Sequence, residues 1–197
     1  MTPEGPAPAD TSRARLIAAA GRLFQERGYA ATGLSDILKA AGAPRGSLYH
    51  HFPGGKAELT AAAMRGAGGL LRATLKQARE ETETAAEAVE HFSVKLAGWL
   101  DGSAFRRGCP MATVALECAP GEDALGETLR EGFARTVHLL GELIESDGAP
   151  PERARDLAEF ALAALEGALI LARAAGDSGP VRRAGRQAGA LIRAETA

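Results

Sequence analysis

The sequence predicts an all-α protein of about nine helices, a small three-helix unit in front of a larger helical body. Three observations predict it. Apolar residues recur at spacings of three and four along most of the chain, and no stretch alternates with the period of two that a half-buried strand needs. Alanine, leucine, arginine and glutamate dominate while aromatics are only 5% of 197 residues, a composition that favours helix. Breaks such as PGG at 53–55 and DGAPP at 147–151 cut the chain into helix-length pieces.

Residues 1–10, MTPEGPAPAD, are rich in proline and lack an apolar run, so they read as a disordered tail. A first helix is expected from Asp10 or Thr11 to Arg27. Leu16, Ala20, Leu23 and Phe24 keep helical spacing, Asp10, Thr11 and Ser12 can cap it, and Gly28 stops it. A second spans Leu34 to Ala41, with Leu34, Ile37, Leu38 and Ala41 on one stripe. A third begins near Pro44 or Arg45, because proline is tolerated in a first turn, and runs to about His51. The three or four glycine-containing residues between the second and third helices have the spacing of a helix-turn-helix. Residues 11–55 are therefore a head in which Leu48 and Phe52 face the core. Arg45, Ser47, Tyr49 and His50 are left facing outward, as on a recognition helix meant for a groove.

Residues 56–197 form the body. A long helix runs from Lys56 to about Glu80 with Leu59, Ala63, Leu70, Leu71 and Leu75 inward, and EETET marks a bend. A helix from Ala85 to Asp101 carries Val89, Phe92, Leu96, Trp99 and Leu100 on one stripe. DGSAFRRGCP is a loop, followed by a short helix from Met111 to Cys118. Three more helices are expected at Asp123–Ser146, Pro151–Ala175 and Val181–Glu195.

Net charge is −2, but residues 1–65 hold eight Lys/Arg against five Asp/Glu, and residues 66–197 hold fifteen against twenty. A basic front on an acidic body fits a nucleic-acid contact confined to the first third. There is no signal-peptide pattern, and the apolar run Phe160–Ala172 is broken by Glu166 and shorter than the roughly 20 residues that span a bilayer. A cytoplasmic protein without membrane contact is expected. Two cysteines imply no disulfide framework; Arg106 and Arg107 beside Cys109 would lower its thiol pKa, and Cys118 reads as core. No G-x-S-x-G, P-loop, dinucleotide glycine run or H-E-x-x-H is present, so neither enzyme activity nor a cofactor is expected. His50 and His51 diverge by roughly 100° on a helix and chelate poorly, so no metal is expected.

The stretch GYAATGLSDILKAAGAPRGSLYHHFPGGKAEL resembles the DNA-binding segment of the TetR family of bacterial repressors, over about residues 11–65. PGGKAEL, GCPMATVALE and ALEGALILARA are similar to the LmrA/YxaF subgroup. The resemblance implies a homodimer whose recognition helices enter the major grooves of a palindromic operator. The positions that match family DNA contacts are Thr32, Arg45, Gly46, Ser47, Tyr49, His50 and Lys56. Arg45 suits guanine O6 and N7, Gly46 allows close approach of the backbone, Ser47 suits a base edge, and Tyr49 and His50 suit phosphates. Lys56 suits phosphate at a helix start. Gly33 and Pro44 depart from the Ser/Thr caps of the family; glycine still caps passably, and proline has no hydroxyl to offer.

In the body, Phe92, Leu96, Trp99, Phe105 and Met111 read either as core or as the lining of an effector pocket. Glu166, the single charge in FALAALEGALILA, reads either as facing solvent or capping a polar contact at the dimer edge, or as a buried ligand acceptor. The small residues Ala161, Ala164, Ala168, Ala184 and Ala188, with Leu165 and Leu191, are the expected dimer face on the last two helices. The subgroup implies an apolar effector and a neighbouring efflux or resistance gene. The rival readings are a helical small-molecule binder or enzyme without a DNA role, and a sequence-blind architectural DNA binder.

Overall fold

The computed structural model describes residues 12–118 and 124–196; the expected tail lies outside them. Among the described residues there are nine helices and no strand: α1 Ser12–Arg27, α2 Leu34–Ala41, α3 Arg45–His51, α4 Gly55–Glu80, α5 Ala85–Gly102, α6 Pro110–Cys118, α7 Ala124–Ser146, α8 Pro151–Ala175 and α9 Gly179–Thr196. No described helix is long and apolar enough to cross a membrane.

Local chemistry sets the ends. Gly42 closes α2 at φ +58°, a left-handed conformation that costs glycine little, while the Ala43 N–H returns to the Leu38 carbonyl at 3.1 Å. Gly33 caps α2 by backbone alone, and the Asp36 carboxylate accepts its N–H at 3.3 Å. Thr84 caps α5 by accepting the Glu87 N–H at 3.2 Å. Pro151 opens α8, where its missing N–H costs nothing.

Two apolar clusters hold the chain. The first joins Leu16, Phe24, Ile37, Leu48 and Phe52 of the head to Leu59 and Met64 of α4, Met111 and Val114 of α6, and Leu125 and Leu129 of α7. The second joins the end of α4 to α5, α7, α8 and α9 through residues such as Leu75, Phe92, Leu100, Ile144, Leu157 and Ile192. The first half of α4 and the buried face of α6 therefore share the head's cluster, and the two clusters share Cys109 at their border.

Small residues on α9 serve α5 of the same subunit. A Cβ on Gly185 would overlap the Ser93 side chain, and one on Gly189 would press on Glu90 and the Ala86 carbonyl. Ala188 is buried beside them and Ala184 packs partly against the same cluster. This corrects part of the expected dimer face. Ala161, Leu165, Ala168 and Ala188 are buried inside one subunit, at 0%, 3%, 6% and 1% exposure. Their spacing of four and three is the core-facing stripe. The large apolar side chains left outside on α8 and α9 are Phe160 (49%), Ile170 (59%), Leu171 (63%) and Leu191 (44%).

Candidate nucleic-acid interface and internal cavity

α3 is fixed from below and open above. Leu48 and Phe52 are buried in the head, and the Phe52 N–H closes the helix on the Leu48 carbonyl at 2.7 Å. The Arg15 side chain donates to the Ala41 carbonyl at 3.1 Å, which ties α1 to the turn before α3. Arg45, Gly46, Tyr49 and His50 are exposed. Nothing lies within 4 Å of where a Gly46 Cβ would be, so a groove wall can come up to the backbone there. A cation, a bare backbone patch, a phenol and an imidazole thus share one open face, which suits base edges and phosphates.

Three expected DNA contacts are placed differently. Thr32 is fully buried, and its hydroxyl donates to the Gly28 carbonyl at 2.7 Å, so it locks the turn before α2. Ser47 is half-buried and donates to Ser12 Oγ at 2.9 Å, which is itself 2.8 Å from His51 Nε2. That chain of polar atoms ties α3 to the start of α1. Lys56 donates to the Tyr29 carbonyl at 2.7 Å and lies 4.1 Å over the Tyr29 ring. Its ammonium is held by the head through a hydrogen bond and a cation–π contact.

A partly open cavity of about 460 Å³ lies between α1 of the head, α4, α5, α8 and the loop before α6. Phe92, Leu96, Trp99 and Glu166 line it as the sequence suggested, with Trp99 46% exposed at its wall. Leu165, expected at the dimer face, lines it too. Phe105 does not: it sits in a separate polar depression with Glu26, Arg27, Arg106 and Arg173. Met111 does not either; it is buried between Gly68 and Gly132, where the absence of a Cβ on each makes room for its thioether.

Sequence reasoning missed Gln25, Ala67, Leu70, Leu162, Leu169 and Arg107 as wall residues. Leu70 was expected inward with Leu71, yet it is 59% exposed at the cavity. Leu70 and Leu71 lie about 100° apart on the helix, and spacing alone does not say which of the two turns to the core.

Cys109 and Glu166 meet in the cavity wall. Burial pushes the Cys109 thiol well above its usual range, and the Glu166 carboxyl beside it adds to that rise. This corrects the expectation of a thiol acidified by Arg106 and Arg107. Burial also raises the Glu166 carboxyl, offset in part by its hydrogen bond with Cys109. The wall is thus mostly apolar, with Gln25, Arg107 and a weakly acidic Glu166 as its polar side chains. Arg107 instead faces Glu26 of the head at 3.3 Å.

The comparisons agree with this architecture. Residues 16–63 match the family described as bacterial regulatory proteins, tetR family. Residues 85–187 match the family described as transcriptional regulator LmrA/YxaF-like, C-terminal domain. An uncharacterized HTH-type transcriptional regulator of Mycobacterium tuberculosis is 36% identical over 93% of this chain and 95% of its own length. The HTH-type transcriptional regulator LmrA of Bacillus subtilis is 32% identical over 86% of this chain and 90% of its own. In fold, a TetR transcriptional regulator from Legionella pneumophila superposes with a TM-score of 0.83, covering 94% of this chain and 99% of that one at 21% identity. The chain belongs to the TetR family of bacterial transcriptional regulators, in the branch with an LmrA/YxaF-like C-terminal domain.

Proposed function

We propose that the chain is a dimeric repressor that leaves a palindromic operator when a small apolar effector enters the body. The observation that carries this reading is one subunit holding both an open, donor-bearing α3 and an apolar cavity with head residue Gln25 in its wall. An occupant would touch the reading head itself. It would need only a different affinity for the operator-bound and operator-free conformations.

The exposed Phe160, Ile170, Leu171 and Leu191 support a dimer through α8 and α9. Their exposure together on two adjacent helices is what an interface looks like in an isolated subunit. A neighbouring efflux or resistance gene is the target that the LmrA-like branch suggests. The cavity's size and its apolar wall fit an aromatic effector able to donate a hydrogen bond to Glu166.

Selection of bound duplexes from a random pool tests the DNA reading. It should return a two-fold-symmetric site with half-sites one helical turn apart, about 34–36 Å. Aromatic compounds screened against that complex should include one that releases the duplex and shifts Trp99 emission in the same titration. An asymmetric or absent consensus would contradict the proposal.

A further inference from the structure

The turn between α1 and α2 is held by the body at an unusual point. The carboxylate of Glu117, near the end of α6, accepts the backbone N–H of Tyr29 at 3.1 Å and that of Ala30 at 2.5 Å. The approach is so close that a Cβ on Gly28 would overlap the carboxylate, and Gly28 itself sits at φ +84°. Glycine at 28 therefore serves the turn and the clasp together. The same Tyr29 carries Lys56 at the start of α4 on its carbonyl and ring.

The other end of α6 is in the cavity wall. Cys109 and Pro110, where α6 begins, line the cavity, as does Arg107, which pairs with Glu26 in the last turn of α1. One short helix thus has its first residue on the cavity and a carboxylate near its end on the reading head. The end of α1 and the turn after it are touched three times within six residues: Gln25 by the cavity, Glu26 by Arg107, and the backbone of Tyr29 and Ala30 by Glu117.

We propose that Glu117 is the positioning residue that couples the cavity to the DNA-reading head, through its clasp on the N–H groups of Tyr29 and Ala30. It touches neither operator nor effector. A shift of α6 at its cavity end moves the carboxylate, and the carboxylate carries the α1–α2 turn. The head then tilts as a unit, because Thr32 and Arg15 tie that turn and α2 to α1. This rests on α3 being the helix that reads DNA.

The test uses the full chain on its selected operator, with Glu117→Ala and Glu117→Gln. Wild type should protect the Tyr29 and Ala30 amides from hydrogen exchange, and operator titration should change Trp99 emission, because linkage runs both ways. Glu117→Ala should lose that protection, weaken operator binding on the order of tenfold, as loss of two charge-assisted hydrogen bonds on a solvent-facing turn suggests, and abolish the Trp99 response to operator. Its salt dependence should stay that of wild type, since no phosphate contact is removed. Glu117→Gln keeps one acceptor oxygen and should fall between. Unchanged affinity and an unchanged Trp99 response in Glu117→Ala would overturn the clasp, and so would a wild-type Trp99 that ignores operator. A steeper salt dependence in Glu117→Ala, as removal of an anion close to the phosphates would give, would make Glu117 a part of the DNA interface instead. Loss of exchange protection throughout the head would reduce it to a folding residue. A wild-type chain that binds no duplex would fail the reading of α3, not the clasp.

Discussion

Arg45 stands exposed at the first position of α3, where a guanidinium can reach both acceptors of one guanine. Arg45→Ala should cost about 1–3 kcal/mol of operator binding and relax preference at one base pair per half-site. Competition with single-base operator variants measures this, and equal weakening on every variant would assign Arg45 to phosphate. Glu166 supports a second prediction. Its folded pKa is raised by burial, so the native state binds more protons than the unfolded one. Stability should therefore rise as pH falls from the folded pKa to the ordinary carboxylate value, level off below that value, and be lowest, without further change, above the folded pKa. Glu166→Gln should remove that component and be relatively more stable at high pH, read by denaturant midpoints across pH. At this scale the sequence told residue types but not always directions. Tyr49 and His50 face out as their helical positions require, whereas Thr32, Ser47 and Lys56 are drawn inward by partners on α1 and its following turn. Those partners lie up to 35 residues away in the chain, and spacing within one helix carries no signal of them.

Helices were more legible than side chains. The spans of α2 and α8 coincide with the expected ones, the expected starts of α1 at Asp10 or Thr11 and of α7 at Asp123 lie outside the described residues, and the remaining boundaries agree within two residues. Glycine and proline breaks carry most of that information. What the helix pattern could not say is which partner a small-residue face meets. Alanines on α8 and α9 promised close packing, and they deliver it within the subunit: α9 lies on α5 through Gly185 and Gly189. A pair of substitutions on α8 separates the two faces. Ala168→Glu buries an unpaired charge and should destabilise the subunit by about 3 kcal/mol or more. Leu171→Glu sits on the exposed face and should leave helicity and melting of the subunit nearly unchanged while giving monomers. Far-UV circular dichroism with light scattering distinguishes the outcomes, and a dimeric Leu171→Glu would move the interface elsewhere.

Across the whole molecule, the head and body are joined by more than a single helix. α4 runs from the head's apolar cluster into the body's, while α6 and the loop before it reach back to α1 through Glu117 and Arg107. The cavity lies where these routes converge, with Trp99 in its wall. Trp99→Ala should weaken an aromatic effector more than Trp99→Phe, which keeps a ring but loses the emission signal. Isothermal titration on both variants measures this directly. The central claim is that the chain reads one symmetric DNA site as a dimer, and fluorescence anisotropy of the full chain on its selected palindrome tests it most directly. A scrambled duplex over a range of salt serves as the comparator. The expected result is two subunits per palindrome, a steep salt dependence, and affinity at least about a thousandfold above the scrambled duplex. Equal affinity for both duplexes, or saturation by a single subunit, would contradict it.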